Sequence, residues 1–314
     1  MSTEAQFQTA IAATGMTPPD AIHADGCIHR WNGTDKRGNT RNSWYCLHGD
    51  GTPAGSFGDW ATGLQSNWCA KSEHDQTEAE RHAMRARIAA TQRQRDAERD
   101  RLHADAASRA LAIWTAAAPA GAHDHLNDDS TEKQNKGAPA GAHDYLTRKA
   151  IKPHGTRTDG HSLFVPMRDT AGTLHSLQTI APNGDKRFMP GGRVKGCYHA
   201  IGKPAGSVTV CEGFATGASI HEATGGAVAV AFNAGNLSAA ALALRAKYPG
   251  LSITIAADDD WQTPGNPGLT AAKQAAVAVG GKLAVPDFTG LARGIKDTDF
   301  NDMARLIRGQ GAAS

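Results

Sequence analysis

Two stretches decide the fold: Ser207-Val208-Thr209-Val210-Cys211-Glu212-Gly213 and Ile253-Thr254-Ile255-Ala256-Ala257-Asp258-Asp259-Asp260. Each is a short apolar run that ends abruptly in acid. Each then leads through a loop into a run with helical character, Ala215 to Thr224 after the first and Leu269 to Val279 after the second. Between them Ala227 to Phe232 reads as a further strand and Leu237 to Tyr248 as a further helix, and Lys282-Leu283-Ala284-Val285 closes the series. Apolar strands alternating with helices predict a parallel sheet with helices on both faces. Ligands of such sheets bind beyond the carboxyl ends of the strands, where Glu212, Asp258 and Asp260 fall. Asn233 and Asn236 follow the middle strand to the same rim.

Carboxylates crowded without partners repel and raise one another's pKa. A hard divalent cation with oxygen ligands removes the conflict, and Mg²⁺ or Mn²⁺ is the natural choice. Alone, a Glu-Gly pair is ordinarily a strand-end turn, and an Asp run is often a helix cap. The ordered pair of strand-Glu-Gly and strand-Asp-x-Asp is the stronger signal.

Upstream, Ser162 to Met167 and Leu174 to Ile180 flank the turn Thr170-Ala171-Gly172 and read as a hairpin. Basic residues gather around it: Arg148, Lys149, Arg168, Lys186, Arg187, Arg193 and Lys195, with Lys296 beyond the strands. They are either solvated turns or contacts to phosphate. The segment Ala118 to Leu126 returns as Ala138 to Leu146 around a polar run, a local duplication and flexible loop with no chemistry expected. Residues 72–117 are helical, polar in the middle and rich in arginine, which suits a solvated connector. Residues 1–71 open with a short helix carrying Phe7 and Ile11 on one face, followed by short strands rich in aromatics.

The motifs Cys211-Glu212-Gly213-Phe214-Ala215-Thr216 and Ala257-Asp258-Asp259-Asp260 resemble those of a Toprim domain, the metal-binding α/β module of DnaG-type primases, topoisomerases and some nucleases. The run Gly265-Asn266-Pro267-Gly268-Leu269-Thr270-Ala271-Ala272 and the late acidic run Lys296 to Asp302 resemble the TraC version in primases of plasmids, phages and mobile elements. Tyr145-Leu146-Thr147-Arg148-Lys149 and Gly184-Asp185-Lys186-Arg187-Phe188 resemble the basic subdomain that precedes it. The resemblance implies an α/β fold in four pieces: a small β domain at 1–71 that holds template, a connector at 72–117, a loop and basic α+β subdomain at 118–206, and the Toprim domain at 207–314. It implies a DNA primase that makes short RNA primers on single-stranded DNA from NTPs, with a replicative helicase as a candidate partner. Glu212, Asp258 and Asp260 would be catalytic, and these with Asp302 would hold metal. Arg148, Lys149, Arg168, Lys186, Arg187, Arg193, Lys195, Asn233, Asn236 and Lys296 would contact nucleotide or DNA. A Toprim nuclease uses similar acids to cut, and a non-catalytic single-strand-binding factor is a further alternative. Only four tyrosines are present, and no large domain stands ready to carry a nucleophilic one, so a type IA topoisomerase is not expected.

DnaG-type primases begin with a zinc ribbon of paired cysteines. Here Cys27-Ile28-His29 and Cys46-Leu47-His48 stand instead, without the usual knuckle spacing, so zinc is not expected. Five scattered cysteines make poor material for a disulfide framework, and the start Met1-Ser2-Thr3-Glu4 does not resemble a secretion signal. The expectation is a cytoplasmic monomer with reduced thiols and no membrane contact.

Overall fold

A computed structural model describes residues 2–33, 42–59, 62–71, 77–121 and 143–311. Lys36, Arg37, Arg41, Trp60 and most of the duplicated segment lie outside the described residues. The chain divides into two compact units, Met1–Ala97 and Glu98–Ser314.

In the first unit, Ser2 caps helix α1 (Thr3–Ala13) by accepting a hydrogen bond from the Ala5 N–H. Strands β1 (His29–Trp31), β2 (Ser43–His48), β3 (Ala54–Asp59) and β4 (Leu64–Cys69) form an antiparallel meander in that order. Phe7 and Ile11 are fully buried on the sheet, and the Phe7 ring meets Tyr45, Phe57 and Trp68 edge-on at 6.0, 5.5 and 5.4 Å. Trp31 joins the edge of this core. Tyr45, Phe57, Trp68 and Trp31 are therefore used for packing. Of the four residues weighed for zinc, the structure gives His29 to Asp25 at 3.0 Å and stacks its ring on Tyr45. The Cys46 thiol donates to the Gly26 carbonyl and lies 3.6 Å from His48 Nε2, while Cys27 is exposed.

Helix α2 (Glu78–Ala116) starts in the first unit and ends in the second. Its final turns do more than bridge. Ala106 and Ala110 are fully buried, and Ala110, Trp114 and Ala117 pack with Phe164, Leu174 and Leu177. The larger Leu102 and Leu111 point outward, because small alanines let the helix approach the sheet closely.

That sheet is antiparallel, in the order β5 (Ala118–Pro119), β6 (Arg157–Thr158), β7 (Leu163–Arg168), β8 (Leu174–Ile180) and β9 (Lys186–Phe188), with the short helix α3 (Asp144–Lys149) preceding β6 in the chain. The hairpin expected around Gly172 is β7–β8. A second sheet follows, built from β10 (His199–Ile201), β11 (Ser207–Cys211), β12 (Val228–Val230), β13 (Ser252–Ala256) and β14 (Lys282–Ala284), in the order β10-β12-β11-β13-β14. Those from β11 to β14 are parallel, as the alternation of strands with helices predicts. One correction applies: β10 pairs antiparallel with β12, so the sheet is mixed. β10 belongs to this sheet although its residues precede 207. Helix α4 (Phe214–Thr224) packs in one core, and α5 (Ala234–Lys247) and α6 (Pro267–Val279) in the other. Helix α7 (Phe300–Gly311) lies beside α4, where Asn301 Nδ2 donates to Ser219 Oγ at 2.9 Å. No helix among the described residues is long and apolar enough to cross a membrane.

His199 on β10 is buried against Phe214, and its Nε2 meets the His154 carbonyl at 2.9 Å. Burial pushes its pKa down from 6.5 to about 4. Between those values the unfolded chain takes up a proton that the folded chain refuses. Stability is therefore whole above pH about 6.5 and falls by up to about 3 kcal/mol as pH drops toward 4. In denaturant melts the stability difference between the wild type and His199→Gln should shift by that amount across the window.

Candidate active site

β11 leads to one side of the sheet through β12, and the chain then crosses to β13 on the other side. This reversal opens a crevice at the carboxyl ends of β11 and β13. Glu212 leaves β11 there and Asp258 leaves the end of β13. Asp260 is fixed by the first turn of α6, where the Gly268 N–H donates to its Oδ2 at 3.0 Å. Asp259 faces elsewhere, paired with Arg293 at 2.9 Å and accepting from Asn266 Nδ2 at 2.7 Å. The alternation of Asp258 and Asp260 to one face against Asp259 is that of extended chain.

The fourth acid at the rim is Asp299. Its Oδ2 accepts from Thr216 Oγ1 of α4 at 2.9 Å, and its Oδ1 caps α7 through the Asp302 N–H. Burial, then repulsion from Asp299, Glu212 and Asp260, pushes Asp258 from 3.8 up to about 8. Burial and Asp260 also raise Glu212, against the pull of Lys186 and the Ala234 N–H. Asp258 Oδ1 is buried and accepts no hydrogen bond from the described residues.

Across the crevice stands Lys186 on the edge strand β9. Its Nζ lies 6.0 Å from the centre of the Tyr145 ring and 3.9 Å from where a Cβ on Gly213 would sit. The residue as a whole is exposed on this strand. Desolvation lowers its pKa, and Asp299, Asp258 and Glu212 pull it back up. The antiparallel sheet thus supplies a cation to the acids of the mixed sheet.

Residues 207–309 match the Toprim domain family. Two proteins described as DNA primase TraC, both from Escherichia coli, align with most of the chain. One is 33% identical over 300 residues, which is 91% of this chain and 26% of the relative. The other is 31% identical over 273 residues, 84% of this chain and 18% of the relative. The chain is a relative of the TraC-type Toprim primases. It spans about a quarter or less of those relatives' length. Among solved structures, the primase fragment of the bacteriophage T7 primase-helicase protein superposes with a TM-score of 0.38 at 17% identity, over 53% of this chain and 73% of that one.

Other residues expected to contact metal, nucleotide or DNA are placed differently. Asp302 is buried, 3.4 Å from Lys149 and 3.6 Å from Arg305, and accepts from the Thr298 N–H, so it braces α7. The Asn236 amide is buried in three bonds, accepting from the Gly196 N–H and donating to the Cys197 and Ala231 carbonyls. Asn233 caps α5. Arg148 donates to the Pro182 carbonyl, and Arg168 donates to the Gly172 carbonyl beside Trp114. Arg187 is exposed on β9, and by strand alternation it faces away from Lys186. The Arg193 Nε donates to the Lys195 carbonyl, and Lys195 and Lys296 are exposed.

Among the described residues, no three His, Cys, Asp or Glu side chains close on a common ion position. The rim nevertheless suits a hard cation. A buried, unpartnered carboxylate oxygen whose neighbours are further carboxylates is an acceptor set short of positive charge. Gly268 is part of this fit, since a Cβ there would stand 2.8 Å from both the Asp258 carbonyl and Asp260 Oδ2. Gly268→Ala should cost about 1–3 kcal/mol of stability by overpacking. It should also weaken Mg²⁺ binding, measured by denaturant unfolding and calorimetric titration.

Proposed function

We propose that this chain synthesises short RNA primers on single-stranded DNA by metal-dependent nucleotidyl transfer. The observation that carries the reading is Lys186 aimed across the crevice at the Glu212-Gly213 turn, opposite Asp258 and its unpartnered oxygen. Joining two nucleotides needs acids for a cation at one wall and a fixed positive charge for phosphate at the other, and the crevice has both. Asp258, Asp260 and Glu212 are the residues that would hold Mg²⁺ or Mn²⁺, with Asp299 behind them. A bound divalent ion would lower the pKa of the attacking 3′-hydroxyl and neutralise the pyrophosphate that leaves.

The chain's own groups do the rest. Lys186 would hold the triphosphate, or a template phosphate, against the rim. The Thr216 hydroxyl and the first turn of α7 keep Asp299 turned to Asp258. The Gly268 N–H keeps Asp260 in place. The names of the TraC relatives support the same reading. One tube containing single-stranded DNA, labelled NTPs and Mg²⁺ or Mn²⁺ tests it. New short oligomers are the expected product, shortened DNA would mean a nuclease, and neither would mean a binding factor.

A further inference from the structure

Phe188 follows Lys186 by two residues on β9, so both side chains leave the strand on the same face. Lys186 reaches the Glu212-Gly213 turn from that face. The Phe188 ring meets the ring of Phe232 edge-on, with centroids 6.4 Å apart. Phe232 ends the β12 segment at the rim, and its N–H donates to the Glu212 carbonyl at 2.8 Å. Its φ is +73°, a left-handed conformation that bulky residues rarely adopt and that tends to gather at functional sites. Phe232 itself is buried, while Phe188 stays 38% exposed.

An exposed phenylalanine alone needs no explanation. Here, however, a strained backbone sets a buried ring to brace an exposed one, one strand repeat from the lysine that faces the acids. Resting on the nucleotide-joining reading above, we infer that Phe188 is a stacking platform for a nucleobase whose phosphate lies at Lys186. A T-shaped contact with Phe232 occupies at most one face of Phe188 and leaves the other for a base, and stacking on a π-face accepts any base. The base comes either from a free nucleoside triphosphate or from a single strand, and both present the same ring over the same phosphate.

The test uses the full chain with two fluorescent probes, 2-aminopurine riboside triphosphate and a single-stranded oligonucleotide carrying 2-aminopurine. The wild-type chain should quench at least one, and the quenched probe identifies the source of the base. Phe188→Tyr should keep the quenching. Phe188→Leu, which preserves an apolar side chain without a π-face, should lose it and weaken that probe's Kd by about 5- to 100-fold, as should Phe188→Ala. If Phe188→Ala does not fold, the Tyr and Leu variants decide. Equal quenching and affinity in Phe188→Leu and wild type would overturn the platform, as would no quenching of either probe by wild type. Primer synthesis is scored separately. Quenching without primers would sink the primase reading and leave the platform standing, whereas primers with quenching indifferent to Phe188→Leu would do the reverse.

Discussion

Asp258→Asn should reduce primer yield by about a thousandfold or more and at the same time make the metal-free protein more stable. The first effect follows from removing the most crowded acid of the rim, since losing one group that stabilises transition-state charge typically costs about 10²–10³ in rate and a lost metal ligand costs at least as much. The second follows from the repulsion that raises Asp258 to about 8. An acid whose pKa rises on folding is destabilising once it ionises. The metal-free wild type should therefore lose stability as pH climbs from about 6.5, above which His199 no longer contributes a slope, to about 8. Asp258→Asn should lack this loss, and Mg²⁺ should restore the wild type but not the variant. Melting temperatures at several pH values, with and without Mg²⁺, check both halves. Near-normal primer yield from the variant would remove Asp258 from the metal site.

Lys186→Ala should lower turnover by roughly 100-fold, the scale expected for losing one positive clamp on a phosphoryl group. If the partner is a template phosphate, the log–log salt slope of single-strand binding should fall by about 0.7. If it is the triphosphate, the apparent nucleotide KM should rise and the slope should stay. Arg187→Ala, on the opposite face of the strand, should change both quantities much less. Equal effects from the two substitutions would mean that β9 acts as a diffuse basic patch, with no special role for the lysine whose Nζ lies near the Gly213 turn.

Much of the mixed sheet was legible in sequence because β11, β12 and β13 are largely buried, rich in Val, Ile and Ala, and each leads into a helix. β10 and β4 were not, for they are short edge strands. His199-Ala200-Ile201 has too few residues to show a period, and Leu64-Gln65-Ser66-Asn67-Trp68-Cys69 is half polar. The packing of the end of α2 is hard to read in sequence for a different reason: its buried face is made largely of alanines with Trp114, while Leu102, Leu111 and Ile113 are exposed. At the rim, Glu212, Asp258 and Asp260 stand where strand ends put them. Asp302 was chosen over Asp299 because both lie in one acidic run. The spacing Asp299-Phe300-Asn301-Asp302 is also that of a helix start, in which the first residue caps and the fourth sits inside the opening turn. Reading that cap first would have pointed to Asp299. Asn236 could not be read at all, since its partners at Gly196 and Cys197 come from a distant part of the chain.

If the rim of Glu212, Asp258 and Asp260 holds the divalent ion that serves catalysis, the ion can be located by cleavage. Replacing Mg²⁺ by Fe²⁺ and adding ascorbate with peroxide cuts the polypeptide beside the bound ion, and mass spectrometry then locates the cuts. Breaks should cluster at Glu212-Gly213 and Asp258 to Asp260, be suppressed by excess Mg²⁺ and be absent from Asp258→Asn. Breaks confined to other segments, such as the cysteine and histidine residues of the first unit, or a pattern unchanged by Asp258→Asn, would contradict that placement of the ion.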